Sequence, residues 1–526
     1  MKLTINDTFN TELPADKNRN NVPRQVYDAC FSYVDPIAPQ KATLIHVSDE
    51  MLNAIGLKEE DKHSDEFLAI FSGAKKMEGT SPYAMCYGGH QFGHWAGQLG
   101  DGRAINLAEV RHNAQQWALQ LKGAGRTPYS RSADGLAVLR SSVREHLCSE
   151  AMHHLGIPTT RSLSLALTGD QVWRDMLYDG NAAYEKGAVV CRVAPSFIRF
   201  GNFQLLTARQ DIKNLKILAD YTIRHFFPEI KEGKGTKQAY IQFFQEVATK
   251  TLDMIIHWQR VGFVHGVMNT DNFSILGLTI DYGPYGWLEG YDHNWTPNTT
   301  DKDYRRYRFG NQPGVALWNL AQLGNALYPL VEETEPLEAI LQQFRVDYAK
   351  KYLSMMLNKL GLESVEEGDE KLIHDLTDLL QQSEVDMTLF FRNFFYFVKD
   401  TSITGGIKTL DFIMDAFYKP EELNDSVLGL WQDWLFKFKM RLQKDKKTDQ
   451  ERQVFMNRIN PKYVLRNYMA QLAIDQANSG DYSLIEELYQ MLKKPYEEQP
   501  EYQRWFAKRP EWARNKVGCS MLSCSS

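Results

Sequence analysis

The octapeptide "HGVMNTDN", residues 265–272, carries the most informative group of side chains in this 526-residue sequence. Before it, the apolar residues of "KQAYIQFFQEVATKTLDMIIHWQRVG" (237–262) recur with helical spacing and predict one long helix that ends at the glycine. After it, "FSILGLTIDYG" (273–283) predicts a small hairpin around Gly277. The octapeptide is therefore predicted to be a loop, rich in carboxylate and amide groups, that follows directly on a helix.

The spacing of His265 and Asn272 matches the catalytic loop of protein kinases, H-R-D-L-x-x-x-N, whose aspartate is the base and whose asparagine holds magnesium. Here Val267 stands at the base position, and Asp271 directly precedes the asparagine. Asp271 is close enough to a metal-bound phosphate to act as the base, and a carboxylate that caps a turn is the alternative. Asp281, in "DYG", matches the second metal ligand of kinases.

Further kinase elements precede this loop in the order that kinases use. A glycine-rich turn, "GQLGDGRA" (97–104), is followed by a strand that ends near Lys122, and Glu145 lies on the next predicted helix, where it could pair with the lysine. Each element alone is a weak signal, because most lysines and glutamates lie on the surface. Their occurrence in one order favours a kinase-like arrangement.

Four arginines on the same segments add positive charge around this predicted site: Arg103, Arg126, Arg192 and Arg199. Guanidinium groups bind phosphate oxygens in two-pronged fashion. A kinase leaves ADP behind, whereas an enzyme that attacks the α-phosphate expels pyrophosphate, and fixed cations stabilise the charge that develops on it. The arginines therefore favour nucleotidyl transfer over phosphoryl transfer.

The elements around these residues predict an α+β fold. The segment 87–110 predicts strand, tight turn and strand, and a helix is expected from Asp134 to a stop at Gly156. Residues 1–80 predict mixed helix and loop, and the chain from Pro313 onward is expected to be nearly all helical.

A strand-rich front and a helix-rich back predict a protein-kinase-like, two-lobed fold with the site in the cleft between the lobes. The expected parts are an N-terminal extension packed on the core (1–80), an N-lobe (81–201), a helical C-lobe with the catalytic loop (202–440), and a C-terminal helical extension with a cysteine-containing tail (441–526).

Composition excludes several classes of protein. The net charge of −6 gives no reason to expect a nucleic-acid partner. No apolar run approaches the ~18 residues of a membrane span, and the N-terminus resembles no targeting signal, so a cytoplasmic protein without a membrane partner is expected. The basic run "YRRYR" (304–308) lies where a kinase's activation segment would be, although a solvated surface is an equal alternative.

Two clusters could suggest metal or redox chemistry. One face of the helix after Asp134 could present His146, Glu150, His153 and His154, but without an H-E-x-x-H order a buried or interfacial histidine cluster is preferred to zinc. In the tail, Cys519 and Cys524 look exposed and are either accidental or a redox handle.

The longest of these motifs together resemble the selenoprotein O family, also called the YdiU family. The matching pieces are "YGGHQFGHWAGQLGDGRA", "LQLKGAGRTPYSRSADGLAVLRSSVRE", "CRVAPSFIRFGNFQ", "HGVMNTDNFSILGLTIDYGPYGW" and "RYRFGNQPGVALWNLAQL". The resemblance implies a kinase-like fold and protein AMPylation. In that reaction AMP passes from ATP to a Ser, Thr or Tyr hydroxyl of another protein, and the nucleotide is bound in the reverse orientation to that of a kinase.

The resemblance also assigns roles to single residues. It implies that Asp271 is the catalytic base, that Asn272 and Asp281 hold Mg²⁺, with Mn²⁺ as an alternative, and that Lys122 pairs with Glu145 and binds phosphate. The further ATP contacts that it implies are Gly100, Gly102, Arg103, Asp134, Gly135, Arg192, Arg199 and Asp281. Animal members carry selenocysteine third from the end, where this chain has Cys524, which favours a redox role for that thiol.

Two other functions fit the same residues. A phosphotransferase with a displaced base would use the same lysine and metal ligands, and a catalytically silent ATP-binding scaffold would keep them without chemistry. The sequence leaves open the identity of the protein substrates, the choice of ATP or UTP, and the oligomeric state.

Overall fold

Alternating apolar residues in the N-terminal part of the chain form strands, and longer apolar periodicity in the rest forms helices. A computed structural model describes residues 1–231, 233 and 235–523. Its strands are β1 (Phe31–Tyr33), β2 (Thr43–Val47), β3 (Tyr83–Met85), β4 (Gly88–Gln91), β5 (His94–Gln98), β6 (Ala104–His112), β7 (Gln115–Lys122), β8 (Ala137–Val138), β9 (Arg161–Arg174), β10 (Ala183–Ala194), β11 (Phe263–Val264) and β12 (Gly286–Trp287).

The α-helices of the described residues follow in chain order. They are α1 (Phe9–Glu12), α2 (Asp49–Ala54), α3 (Asp65–Phe71), α4 (Leu139–His154), α5 (Phe200–Ala208), α6 (Ile212–Phe226), α7 (Lys237–Val261), α8 (Gln312–Val331), α9 (Glu335–Lys359), α10 (Asp369–Gln381), α11 (Met387–Asn393), α12 (Asp425–Leu442), α13 (Asp449–Ile459), α14 (Asn467–Asn478) and α15 (Ser483–Leu492). The α+β class predicted from the sequence is confirmed.

The main sheet has the strand order β1-β3-β6-β7-β10-β9-β2, with β8 paired to β10, and neighbouring strands are antiparallel. Leu121 of β7 and Val193 of β10 are buried with Phe67 of α3 on one face. Because side chains alternate along a strand, Gln120 and Lys122 of β7 point to the opposite face, toward α4. The sheet therefore separates an apolar layer from the polar side chains of the site.

Helix α4 covers that polar face. It begins at Leu139 rather than at Asp134, so the predicted start is wrong, whereas the predicted stop at Gly156 is confirmed by a left-handed φ of 74° there. Gly135 has a left-handed φ of 76°, and the backbone N–H of Leu136 donates to the Asp134 carboxylate at 2.9 Å. After this turn the chain forms the short strand β8, and the helix begins only after that strand.

The predicted long helix is confirmed as α7, which ends at Gly262 in a left-handed C-cap with φ of 75°. The chain then enters β11 and the loop, where residues 270–272 form a single 3₁₀ turn. From α8 onward the described chain is nearly all helical, as predicted. None of the described helices combines the length and the apolar character that crossing a bilayer requires.

The predicted hairpin around Gly277 is wrong. Ser274 pairs with Arg199, and Thr279 pairs with Thr159, so the two halves of the segment bind different partners. The alternating apolar residues predict extended backbone in both halves of the segment, but each half pairs with a distant segment and not with the other half.

The first 80 residues hold more than the predicted helix and loop. β1 and β2 are the two edges of the main sheet, and β1 places Phe31 opposite Met85 of β3. Strands of three and five residues are too short to produce a clear periodicity, which explains why they were not predicted.

Candidate active site

A cleft of about 750 Å³ lies between the main sheet and the loop that follows α7. Most of the predicted site residues line it: Gly100, Gly102, Arg103, Lys122, Asp134, Gly135, Arg192, Asp271, Asn272 and Asp281. Glu145 and Arg199 are buried behind this wall, at 2% and 1% exposed, and reach the cleft through their partners. The structure therefore brings together residues that the sequence spreads over almost two hundred positions.

Lys122 and Glu145 form the ion pair expected from their order in the chain. The Lys122 Nζ lies 2.6 Å from Glu145 Oε2, and both side chains are buried. Burial lowers the pKa of Lys122, and the neighbouring carboxylate of Glu145 opposes that shift. The pair fixes the ammonium group of Lys122 at the wall of the cleft, where it can bind an anionic ligand.

Arg192 continues this pair into a longer network. It lies opposite Gln120 in the β7–β10 register, so its side chain shares the polar face with Lys122. Its Nη1 lies 3.1 Å from Glu145 Oε1 and 2.8 Å from Asp281 Oδ1. The guanidinium group of Arg192 thus links the lysine pair to the DYG turn.

Asp281 is held by a second arginine. Arg199 Nη1 lies 2.6 Å from Asp281 Oδ2 and donates to the backbone oxygen of Asp271 at 2.9 Å. Burial would raise the pKa of Asp281, but Arg199 and Arg192 outweigh it and hold that pKa well below its usual range. Asp281 also has a left-handed φ of 57°, an uncommon backbone conformation for a residue other than glycine.

Asp271 has different neighbours. The hairpin β4–β5 covers it: Gly89 approaches so closely that a Cβ there would lie 2.6 Å from Asp271 Oδ1. Gln91 Nε2 lies 3.4 Å from Asp271 Oδ2, a long hydrogen bond, and Oδ1 is buried without a partner in the described residues. Burial raises the pKa of Asp271 to about 7, although Arg199 and Gln91 act in the opposite direction.

The loop that carries Asp271 is fixed by its own histidine. His265 is buried; its Nε2 lies 2.8 Å from the Ile280 oxygen, and its Nδ1 accepts from the Val267 N–H at 3.3 Å. Val267 itself is apolar and 7% exposed. The kinase base position therefore offers no group that accepts a proton, and His265 has a positioning role.

The oxygen atoms around Asn272 fit a hard divalent cation. Asn272 donates its Nδ2 to the Val267 oxygen at 3.0 Å, and its amide oxygen accepts no hydrogen bond within the described chain. That oxygen, the ionised Asp281 and the unpartnered Oδ1 of Asp271 are all oxygen donors at one end of the cleft. Mg²⁺ prefers such ligands and keeps several waters.

The glycine-rich loop lies against the segment 127–130. Gly100 has a left-handed φ of 80°, and a side chain there would overlap the Tyr129 ring. At Gly102 a Cβ would lie 3.0 Å from the Tyr129 oxygen. Thr127 Oγ1 also donates to the Asp101 oxygen at 2.7 Å. Both glycines are therefore required for the close approach of the two backbones that shapes this edge of the cleft.

Sequence reasoning missed several polar residues of the cleft, and two of them bind predicted site residues. Arg174, at the end of β9, forms a two-pronged pair with Asp134, with both N···O distances at 2.7 Å. Burial raises the pKa of Asp134, but Arg174 outweighs it and the net shift is downward. Gln91 is the second of these residues, and because it lies 180 positions before Asp271 in the chain it gave no local signal.

The predicted histidine face divides between two environments. His146 is buried between His46 Nδ1 at 2.8 Å and Ser162 Oγ at 2.6 Å. Glu150 pairs with Arg161 at 2.7 Å. The four residues therefore do not converge on one ion, which agrees with the preferred histidine cluster.

The remaining histidines, His153 and His154, lie near Glu50. This carboxylate also has Arg161 at 3.2 Å and Lys493 at 3.7 Å. The Glu50 carboxylate is therefore already engaged by an arginine and a lysine.

The cysteine tail is only partly described. Cys519 was predicted to be exposed, and that prediction is wrong: the residue is 5% exposed, and burial raises the pKa of its thiol to about 11. A thiol with such a pKa is a poor nucleophile near neutral pH. Cys524 lies outside the described residues, so its predicted redox role stays a prediction.

Comparisons with known proteins show the family of this chain. The family described as "Protein adenylyltransferase SelO" matches residues 19–493. A "Protein nucleotidyltransferase YdiU" of Flavobacterium johnsoniae is 62% identical over 524 residues, covering 100% of this chain and 99% of the relative. Relatives with the same name from Rhodopirellula baltica and Aromatoleum aromaticum are each 51% identical and also cover 100% of this chain and 99% of their own. The chain is therefore an enzyme, a nucleotidyltransferase, and it belongs to the SelO (YdiU) family.

Proposed function

We propose that this protein transfers AMP from ATP to Ser, Thr or Tyr hydroxyls of other proteins and releases pyrophosphate. The names of its relatives support the class of reaction. The observation that carries the proposal is the Asp271 carboxylate, buried in the cleft with one unpartnered oxygen, next to Asn272 and away from the apolar Val267. A group with a pKa of about 7 is well suited to accept a hydroxyl proton near neutral pH.

In the proposed reaction, Asp271 takes the proton of the acceptor hydroxyl, and the hydroxyl oxygen forms a bond to the α-phosphorus of ATP. The bond from the α-phosphorus to the oxygen that bridges to the β-phosphate breaks, and pyrophosphate leaves. Asn272 and Asp281 would hold Mg²⁺, which neutralises charge on the phosphate oxygens. Lys122, fixed by Glu145, binds phosphate as a point charge.

The arrangement of cations supports a nucleotide bound in the reverse orientation to that of a kinase, in a kinase-like two-lobed fold. Arg192 and Arg199 are both engaged by Asp281. Arg103, Arg126 and Arg131 line the same cleft and have no carboxylate within ion-pair distance in the described residues. With the α-phosphate at Asp271, these guanidinium groups would bind the departing β- and γ-phosphates, whose charge grows during the reaction.

Incubation of the protein with an acceptor mixture and ATP labelled at either the α- or the γ-phosphate tests the proposal. We expect protein-bound label only from the α position, loss of labelling with EDTA, and its recovery with Mg²⁺ or Mn²⁺. Label from the γ position alone would instead establish a phosphotransferase, which the kinase-like order of Lys122, Asn272 and Asp281 also permits.

A further inference from the structure

A surface of aromatic and arginine side chains adjoins the catalytic loop. The His90 ring lies 5.1 Å from that of Trp95 and 5.4 Å from that of Trp318 of α8. The guanidinium carbon of Arg306 lies 4.8 Å from the Trp318 ring centroid. Trp95 is 41% exposed, and the other three side chains are partly exposed. We call these four residues, His90, Trp95, Arg306 and Trp318, the aromatic–arginine surface.

This surface is tied to the catalytic loop at several points. His90 lies between Gly89 and Gln91, the two residues that contact the Asp271 carboxyl group. The His90 N–H donates to Thr270 Oγ1 at 2.7 Å. Burial lowers the pKa of His90. Gln91 of the same hairpin and Asn269 of the catalytic loop line the cleft that holds Asp271, so a chain bound on the surface can extend into that cleft.

The hairpin and the basic segment are also joined to each other. Tyr307 OH donates to Asn269 Oδ1 at 2.6 Å, and the Phe92 N–H donates to Tyr307 OH at 2.9 Å. Asp301 is buried and accepts from the N–H groups of Arg306 and Tyr307 at 2.9 and 2.7 Å. The arginines of this segment are thus presented by an ordered backbone.

The cations of the segment 301–308 outnumber its carboxylates. Lys302, Arg305, Arg306 and Arg308 lie within seven residues, and the acids of the same segment are Asp301 and Asp303. None of these four cations lies within ion-pair distance of a carboxylate in the described residues, in contrast to Lys122, Arg174, Arg192 and Arg199. Tyr304, in their midst, is 91% exposed. A patch of this kind is complementary to a negatively charged peptide.

We propose that the aromatic–arginine surface, extended by Arg305 and Arg308, binds the acceptor protein and selects hydroxyls flanked by Asp or Glu. The inference rests on the proposed function and adds the chemical class of the acceptor. Arg306, held over Trp318, offers its guanidinium group to a flanking carboxylate. Trp95 and the His90 ring pack on the peptide backbone, and the acceptor hydroxyl reaches Asp271 beside Gln91.

Peptide pools with a central Ser, Thr or Tyr test the proposal. The flanking positions are randomised among Asp and Glu in one pool, neutral residues in a second and Lys and Arg in a third, and AMP transfer is measured with α-labelled ATP. For the wild-type protein we expect kcat/KM for the acidic pool to exceed that for the neutral pool about tenfold. Arg306→Glu is expected to abolish this preference and to favour the basic pool, with an unchanged Kd for ATP.

The matched control is Arg345→Glu, which makes the same charge change on the exposed surface of α9, a helix that lines no part of the cleft. It should keep the preference of the wild-type protein. Equal labelling of the three pools, or an unchanged preference in Arg306→Glu, would overturn the inference while the proposed function stands. Absence of α-label in every pool would count against the proposed function itself, and the inference would fall with it.

Discussion

Asp271 and Asp281 lie in the same cleft, but the protein surrounds them in opposite ways. Each oxygen of Asp281 has its own buried guanidinium partner, Arg192 on one and Arg199 on the other. Asp271 has one long hydrogen bond from the neutral amide of Gln91 and an oxygen without a partner in the described residues. As a result the pKa of Asp281 is held well below its usual range, and that of Asp271 is raised to about 7.

The difference fits the two roles that we propose for these identical side chains. A metal ligand must stay ionised at every pH at which the enzyme works, and paired arginines ensure this for Asp281. A proton acceptor works best when its pKa is close to the ambient pH, and a largely uncharged pocket produces that condition for Asp271. The opposite directions of the two pKa shifts therefore support the proposed roles.

Removal of the Asp271 carboxyl group is the strongest test of this division. We expect Asp271→Ala to reduce the rate of AMP transfer by about 10²–10⁴-fold, the usual contribution of a general base. The Kd for ATP should change little, because the lysine and arginine contacts remain. Transfer is measured with α-labelled ATP, and Asp378→Ala, on the exposed surface of α10, is the control. A silent ATP-binding scaffold would show no difference between the two variants.

Removal of one of the two arginines that bind Asp281 should lower the free energy of unfolding. Arg199→Met leaves a buried carboxylate with one guanidinium partner, and breaking a buried pair costs about 3–5 kcal/mol in the free energy of unfolding. Urea denaturation measures the change, and Arg504→Met, which breaks an exposed pair with Glu487, should cost no more than about 1 kcal/mol.

The double variant Arg199→Met/Asp281→Asn sharpens this test, because it removes the uncompensated charge together with its partner. It should regain part of the lost stability, although it cannot restore the metal ligand. If the double variant is no more stable than Arg199→Met alone, the arginine acts through packing rather than through the charge of Asp281.

Much of this site was accessible from the sequence because its order along the chain is itself a signal. The pairing of Lys122 with Glu145 followed from a glycine turn, a strand and a helix in kinase order, and the structure has it at 2.6 Å. The environments of Asp271 and Asp281 were not accessible. Their pKa values depend on burial and on contacts such as Gln91 to Asp271, which joins residues 180 positions apart.

The arginines show the same limit. Arg192 and Arg199 were predicted as phosphate-binding residues, and residue type alone could not show that both guanidinium groups are already held by Asp281. Arg174 was missed, because it ends a long strand and becomes a cleft residue only when β9 brings it to Asp134. Local sequence patterns thus predicted the structural elements and their order. Which charged side chains pair with each other could be determined only from the three-dimensional structure.

The pH dependence of transfer tests the raised pKa of Asp271 directly. The carboxyl group must be ionised to accept a proton, so kcat/KM should fall about tenfold per pH unit below the pKa of about 7 and reach a plateau above it. If kcat/KM instead begins to fall only near the ordinary pKa of aspartate, the pocket does not favour the neutral form of Asp271.

Stability should change with pH in the opposite direction. The pKa of Asp271 in the folded protein lies above its value in the unfolded chain, so its contribution to folding is full at pH values below the ordinary aspartate range and is lost as the pH rises through about 7. Asp271→Asn removes this dependence, and the difference between the urea midpoints of the two proteins across this range measures it.

Gln91→Leu should produce the smallest of these effects. The Gln91 amide donates to the Asp271 carboxylate and thereby lowers its pKa, against the larger effect of burial. Without this donor the pH limb should move upward, and transfer below pH 7 should fall about threefold, the equivalent of one modest hydrogen bond. The plateau at high pH should change much less, since the ionised base is still present there. Gln343→Leu, on the exposed surface of α9, controls for the loss of an amide. An equal loss at every pH would mean that Gln91 places the hairpin or the acceptor and does not tune Asp271.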